Sequence, residues 1–365
     1  MKRGIDVPFL LVTCGLVIAG LLIFTSASLG LLAHSTGSAF ASAAVSQILL
    51  GLVCGAVLFI FFSRIDYRKL RPYTPYFFIG AMALTILTFV PHIGLSLKGA
   101  SRWIEVGSFS FQPEEILKFA TIMFLAAYYA AHFKAVSTIK GGILPLICIA
   151  GSAAVVLILQ PDVADVVVLG ITSVVLLFSA GGRLSHLLIL GLVGVAAIGI
   201  AAYEKPYVAQ RIETYINGGS DPQGSGWQIQ QALIAVGSGG LTGRGLGQGV
   251  EKFSYLPEAT GDSIFAVAGE EFGFIGSALL VLLFGIFGIL GLRIASKAPD
   301  PFGGLLASSF TVLILGQSFF NMASIVGLVP LVGIPLIFVS HGGTALALAL
   351  AEAGVILSVS RYMRK

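Results

Sequence analysis

The chain alternates long apolar runs with short polar breaks. Ten runs approach or exceed the roughly 20 mainly apolar residues that a membrane-crossing helix requires. They cover about 7–33, 42–63, 73–96, 112–132, 142–160, 163–182, 184–203, 263–293, 303–328 and 334–360. The breaks are short except one, residues 204–262, between the seventh and eighth runs. No internal repeat divides the chain. The pattern predicts an all-α polytopic membrane protein of about ten transmembrane helices, one transmembrane domain over residues 1–365, with 204–262 as a long extracellular loop. Loops of this length in a compact protein are usually functional. This one is glycine-rich, at Gly218-Gly219 and from Gly237 to Gly249. It also carries the amphipathic piece Trp227–Val236, which predicts short helices lying on the membrane face or over a cavity.

Composition narrows the class. Of 365 residues, 56% are hydrophobic and 10% charged, with mean hydropathy +0.97. An ordinary soluble domain is about 25% charged. Soluble enzymes, disordered chains and nucleic-acid binders are excluded. Cys14, Cys54 and Cys148 sit in apolar runs and read as packing residues, without a disulfide framework or zinc cluster. The basic start Met1–Arg3 is followed by an apolar run too long for a cleaved signal and without a clear cleavage site, so it reads as the first span.

The few charges are sorted. With both termini inside, 14 of the 21 Lys and Arg fall on the cytoplasmic side, as the positive-inside rule requires. Lys98, Arg102, Lys205, Arg211, Arg244 and Lys252 fall outside, and Lys118 lies within a span. Of the 17 acids, 13 lie outside or in outer halves of spans. Ionisable residues inside a membrane are expensive and point to function. Any chemistry therefore faces outward.

Four constellations carry that possibility. In Tyr255–Glu271, Asp262 either caps the helix that follows or serves as a general base at a cavity mouth; Glu270 and Glu271 are buried acids that a cap leaves unexplained. In Ser101–Lys118, Arg102 and Trp103 suit an interfacial anchor or a lipid phosphate contact, and Pro113 suits a helix first turn. Lys118 can pair with Glu114 or Glu115 on one face. Gln160-Pro161-Asp162 with Asp165 has one acid to spare beyond a cap. Convergence of Glu114, Glu115, Asp162, Asp165, Glu270 and Glu271 in one cavity would make either a cation site or an ion-pair network around Lys118. The fourth, Gln317, Asn321, Pro330, Gly333, Pro335 and Ser340-His341-Gly342-Gly343, marks broken or tightly packed helices, with His341 read as a packed residue. No nucleotide fingerprint is present, so an outward enzyme here would use a lipid-linked, already activated substrate.

Together these stretches resemble the SEDS family (shape, elongation, division and sporulation), which includes RodA and FtsW. The resemblance runs through Ser101-Arg-Trp-Ile, Phe111–Lys118, Gln160-Pro-Asp162, Asp221–Ile229, Gly237–Gln248, Tyr255-Leu-Pro-Glu-Ala259, Glu270-Glu271, Gly333-Ile-Pro-Leu336 and Ser340-His-Gly-Gly343. The stretch Gln248–Pro257 is FtsW-like. The resemblance implies a peptidoglycan glycosyltransferase that polymerises lipid II on the outer face of the bacterial cytoplasmic membrane. It implies Asp262 as catalytic base, with Arg102, Glu115, Lys118, Asp162, Arg211, Glu258, Glu270 and Ser340 as substrate-binding candidates. A divalent cation (Mg or Mn) could assist, and the implied partners are membrane lipid and a class B penicillin-binding protein supplying the transpeptidase. Two departures stand out: the usual His-Thr-Asp-Phe reads Thr260-Gly261-Asp262-Ser263, and the usual Gly-Thr after Gln-Pro-Asp-Leu reads Ala164-Asp165. A lipid-linked precursor flippase and a non-catalytic scaffold are the rival readings.

Overall fold

The computed structural model describes residues 4–34, 37–97, 100–106, 109–217 and 225–363. Lys2, Arg3, Lys98, Gly218-Gly219, Asp221, Arg364 and Lys365 lie outside the described residues. Fourteen α-helices are present among them. They are α1 (Val7–His34), α2 (Ser38–Val45), α3 (Gly55–Arg64), α4 (Thr74–Ile86), α5 (Pro113–Ala131), α6 (Leu144–Leu159) and α7 (Val163–Ser179). The second half holds α8 (Leu184–Glu204), α9 (Pro206–Ile216), α10 (Ser225–Ser238), α11 (Glu251–Ser254), α12 (Ile264–Ser296), α13 (Pro301–Ile325) and α14 (Gly343–Ser360). A π-helical stretch, Ser46–Cys54, joins α2 to α3, and a 3-10 turn, Tyr67–Tyr73, leads into α4.

Eight helical segments are long and apolar enough to cross a membrane. The two remaining expected spans coincide with α5 and α7. Three charges in its first half keep α5 from that count, and α7 is slightly short. The chain is thus an α-helical polytopic membrane protein. Cys14, Cys54 and Cys148 lie on exposed span faces rather than in packing positions; a thiol is apolar enough to face lipid.

α14 is the axis of the bundle. Of its most apolar window, 94% is buried, against 6% for the peripheral α8. Small residues let neighbours come close. A Cβ on Gly55 would sit 2.6 Å from Leu350 Cδ1, and one on Gly354 would sit 2.7 Å from the Phe59 carbonyl, so α3 and α14 touch almost backbone to backbone.

Three departures from a plain bundle shape the site. An antiparallel sheet is formed by β1 (Gly94–Leu97), β2 (Ala100–Val106) and β3 (Phe109–Phe111), with Leu95 opposite Trp103 and Ile104 opposite Phe111. The expected span 73–96 therefore ends early, and helix gives way at Val90. Residues 330–342 are mostly apolar and largely buried but not helical, so the expected span 334–360 is helical only from Gly343. Pro330, Pro335 and Gly333, whose φ is +71°, explain the break. Finally, α12 is broken at Gly273, which has φ +64° and ψ −164°.

The break in α12 is stitched by the glycine-rich loop. Phe274 N–H donates to the Gly240 carbonyl and Ile275 N–H to Leu241; Arg244 and Gly245 N–H return to the Glu270 and Glu271 carbonyls. Freed backbone groups at membrane depth thus find partners inside the protein. A Cβ on Gly273 would lie 2.3 Å from Gly243 N, which only glycine permits. The bundle has two ends. Asp6 N–H reaches Ser360 Oγ and Arg68 reaches Asp300 at the end bearing both termini. The opposite end carries the described parts of 204–262, with Lys252 against Gly30 and Ser26 of α1.

Candidate functional site

The loop end holds two polar centres and one anchor. The first centre surrounds Asp262, just before α12. Helix α10 supplies Gln228, whose amide donates to Asp262 Oδ1 at 2.9 Å and to Ser263 Oγ at 2.9 Å. The N-cap of α12 is Ser263, which makes no capping side-chain bond. The Asp262 side chain is thus oriented by Gln228 instead of being explained by a cap. Asn321 of α13 clamps the backbone, its Nδ2 donating to the Asp262 carbonyl at 2.7 Å and to Ile334 at 2.8 Å. A Cβ on Gly333 would lie 3.3 Å from Arg211 Nη2 and 3.5 Å from Asp262 Oδ2, so a guanidinium and a carboxylate flank one glycine. Arg211, on α9, also donates to the Val332 carbonyl at 2.9 Å.

Around this centre the chain is fixed by polar side chains. Ser340 Oγ donates to the Gly261 carbonyl at 2.7 Å and accepts from Leu336 N–H. His341 N–H donates to the Thr260 carbonyl at 2.7 Å, while its ring stacks on Phe24, as a packed residue does. Gln47, in the π stretch, binds both the Ser340 carbonyl and Gly342 N–H. Glu258 has φ +50° and lines a cavity of about 410 Å³ with Trp227, Tyr255 and Thr260. Ser340 thus holds backbone, and Glu258 lines the cavity beside the Asp262 segment.

The second centre surrounds Lys118 of α5, 1% exposed. Its ammonium donates to Glu115 Oε1 at 3.0 Å, to both Asp165 oxygens at 3.0 Å and to Gln317 Oε1 at 3.4 Å. Of the two possible helical partners, Glu115 is the one used. Asp162 caps α7 by accepting Asp165 N–H and pairs with Arg102 at 2.6 Å. Arg102, on β2, also donates to the Gln160 and Pro161 carbonyls. One acid of the Asp162–Asp165 pair is therefore a cap, and the other is Lys118's counter-ion. Glu114, Asp162 and Asp165 each present an oxygen within 4.8 Å of one another. Glu114 Oε1 accepts from Gln112, whereas buried Oε2 has no partner among the described residues. Tyr207 of α9 donates to the Pro161 carbonyl, and burial together with the Asp162 carboxylate raises its phenol.

The six acids do not meet in one cavity. Glu270 and Glu271 form the anchor instead. Glu270 is fully buried; it accepts from Val250 and Glu251 N–H and pairs with Arg244 at 3.3 Å. Glu271 pairs with buried Lys252 at 2.5 Å, accepts the Ser26 hydroxyl of α1 at 2.7 Å and takes Gly247 N–H at 3.1 Å. Glu270, a substrate-binding candidate in the sequence, has its oxygens on the loop backbone and on Arg244. Adjacent helical residues point about 100° apart, so the two acids seize different parts of one loop.

Gln317 and Asn321 are one turn apart on α13, about 6 Å along the axis. The same helix face therefore touches Lys118 and holds Asp262. Sequence reading missed Ser26, Gln47 and Gln228, and did not give Lys252 a partner. Their signal is a polar side chain in or beside an apolar run.

The family model described as "Cell cycle protein", FTSW_RODA_SPOVE, matches residues 7–365. Stage V sporulation protein E of Bacillus subtilis (strain 168) is 38% identical over 363 residues, covering 100% of this chain and 99% of that protein. The probable peptidoglycan glycosyltransferase FtsW of Geobacter sulfurreducens is 36% identical over 301 residues, 82% of this chain and 81% of that one. Among solved structures, a chain from "Structural coordination of polymerization and crosslinking by a peptidoglycan synthase complex" superimposes with TM-score 0.73 at 24% identity, covering 95% of this chain and 97% of its own. Thermus thermophilus RodA gives TM-score 0.65 at 24% identity over 96% and 97%. These two establish the shared fold. With the family pattern matched almost from end to end, and full-length relatives well above 30% identity, the chain belongs to the FtsW/RodA/SpoVE family of cell cycle proteins.

Proposed function

We propose that this protein is a peptidoglycan glycosyltransferase that polymerises lipid II, with Asp262 as general base. The observation that carries the reading is the Asp262 carboxylate, oriented by Gln228 beside Arg211, with its backbone carbonyl clamped by Asn321. The carboxylate takes the proton of the acceptor sugar's 4-hydroxyl. That oxygen bonds to the anomeric carbon of the donor, and the anomeric C–O bond to pyrophosphate breaks. Undecaprenyl pyrophosphate leaves with the electron pair, and the configuration inverts. Arg211 is placed to balance the departing negative charge. Lys118 and Arg102 hold the second centre in shape, together with Glu115 and Asp162, and Glu258 lines the neighbouring cavity.

Glu114, Asp162 and Asp165 suit a hard divalent cation such as Mg or Mn, because they offer clustered oxygens and one buried oxygen, Glu114 Oε2, without a partner among the described residues. Such an ion would supply positive charge toward phosphate. The reading places the protein in the bacterial cytoplasmic membrane, with both termini in the cytoplasm and 204–262 outside. It acts on a membrane-borne substrate, and its partner is a class B penicillin-binding protein carrying the transpeptidase.

The test gives purified full-length protein labelled lipid II, with and without Asp262→Asn. Loss of a general base lowers the rate by about 10²–10⁴-fold. Unchanged glycan formation by the variant would refute the base. Translocation of the label in liposomes without polymer would make the protein a flippase, and neither activity would leave a scaffold.

A further inference from the structure

At the end that carries the termini, a second cavity of about 410 Å³ opens between the turn before α4 and helix α5. Arg68 and Arg71 line one part of it, and Pro72, Pro75, Phe124 and Tyr128 line the rest. The two arginines are not equivalent. Arg68 is engaged: its Nε donates to Asp300 at 3.0 Å, and its guanidinium lies over the Tyr67 and Tyr362 rings. Arg71 is exposed, meets the Phe302 ring at 5.9 Å, and has no carboxylate partner among the described residues. Lys69 and Arg64 are exposed on the same short segment, while the acids there are taken: Asp66 accepts Arg68 N–H, and Asp300 accepts Tyr67, Arg68 and Gly303.

The cavity therefore joins an unpaired guanidinium to an apolar wall. Outside it, Tyr76 is 74% exposed and Phe77 42% exposed on α4, which faces lipid. We infer that this groove binds an anionic phospholipid, its phosphate on Arg71 and the start of an acyl chain against Phe124 and Pro75. Basic pockets between transmembrane helices take anionic headgroups in this way. A soluble phosphate would satisfy Arg71 alone and leave the apolar wall bare. The site is separate from the Asp262 and Lys118 centres and does not depend on the proposed reaction.

The test is native mass spectrometry of the purified full-length chain, offered equal amounts of dioleoyl phosphatidylglycerol and dioleoyl phosphatidylcholine. The wild type retains phosphatidylglycerol preferentially. Arg71→Gln lowers that occupancy about tenfold, the loss of one direct hydrogen bond to a charged phosphate. Ala131→Glu, at an exposed position lining the same groove, lowers it similarly without touching the arginine. Lys69→Gln, exposed but outside the groove, stays within twofold of wild type. Equal retention of phosphatidylcholine, an Arg71→Gln effect no larger than that of Lys69→Gln, or displacement of the lipid by millimolar inorganic phosphate would each overturn the inference.

Discussion

Replacing Lys252 by Met tests how the loop is held. Its ammonium is 2.5 Å from Glu271 Oε1 and 2.8 Å from Ser26 Oγ, and both charged side chains are fully buried. Removing one partner of a buried pair costs about 3–5 kcal/mol, because the other charge is left behind. Glu271 keeps the Ser26 hydroxyl and Gly247 N–H. Charge-assisted bonds of this kind offset part of the loss, so the lower end, about 3 kcal/mol, is expected. That is roughly a 150-fold rise in the opened fraction. Amide hydrogen exchange across 239–255 in detergent reads the local opening, and a thermal melt reads any global share. The double variant Lys252→Met, Glu271→Gln removes the stranded charge and recovers about 2 kcal/mol. A Lys252→Met protein within about 0.5 kcal/mol of wild type, or a double variant showing the full sum of the single losses, would refute the assignment.

Three further outcomes are expected. Gly333→Ala strains a backbone at φ +71° and pushes a methyl against Arg211 and Asp262, so lipid II turnover falls at least tenfold while the melting point moves little. Glu114→Gln raises the manganese concentration needed for half-maximal polymerisation; an unchanged requirement would remove that residue from any ion site. Asp300 supplies a pH test: burial alone would raise its carboxyl, but the donors Tyr67, Gly303 N–H and Arg68 outweigh it and hold the group below its ordinary value. A depressed carboxyl stabilises fully above the unfolded value of about 3.9. That stability disappears as pH falls through the lower folded value. Wild-type melting temperature should therefore drop more steeply below about pH 4 than that of Asp300→Asn.

Most of the bundle is legible in hydropathy alone, because a bilayer demands a fixed length of apolar helix. The errors fall where apolar does not mean helical. Ile93, Leu95 and Leu97 prolong the third run, but Gly94 lies against the Thr88 carbonyl and the chain turns into a sheet. Residues 330–342 are mostly apolar and largely buried, yet two prolines and a left-handed glycine keep them irregular, with a turn at 337–339 close to the Asp262 segment. The site was legible in kind more than in arrangement. Periodicity gives Lys118 and Glu115 one helix face, but Asp165 reaches Lys118 from another helix. Depth in the membrane is written in sequence, whereas lateral position is not. For that reason the sequence does not separate Glu270 and Glu271, which bind the loop, from the acids around Lys118.

The break at Gly273 divides α12 into pieces with different obligations. The short piece, Ile264–Phe272, is bonded through its Glu270 and Glu271 carbonyls to the loop, and Asp262 sits directly above it. The long piece, residues 274–296, is roughly 35 Å at 1.5 Å per residue, more than the ~30 Å of a typical hydrocarbon core. When bilayer thickness changes, a helix with surplus length adapts by leaning. Here the first two residues below the glycine, Phe274 and Ile275, bond to the same loop as the Glu270 and Glu271 carbonyls above it, so the junction itself is held and any leaning has to come from the helix further down. The Asp262 end is thereby fastened to the loop from both sides of the break, and a change in bilayer thickness is met by the lower part of the helix before it reaches that end.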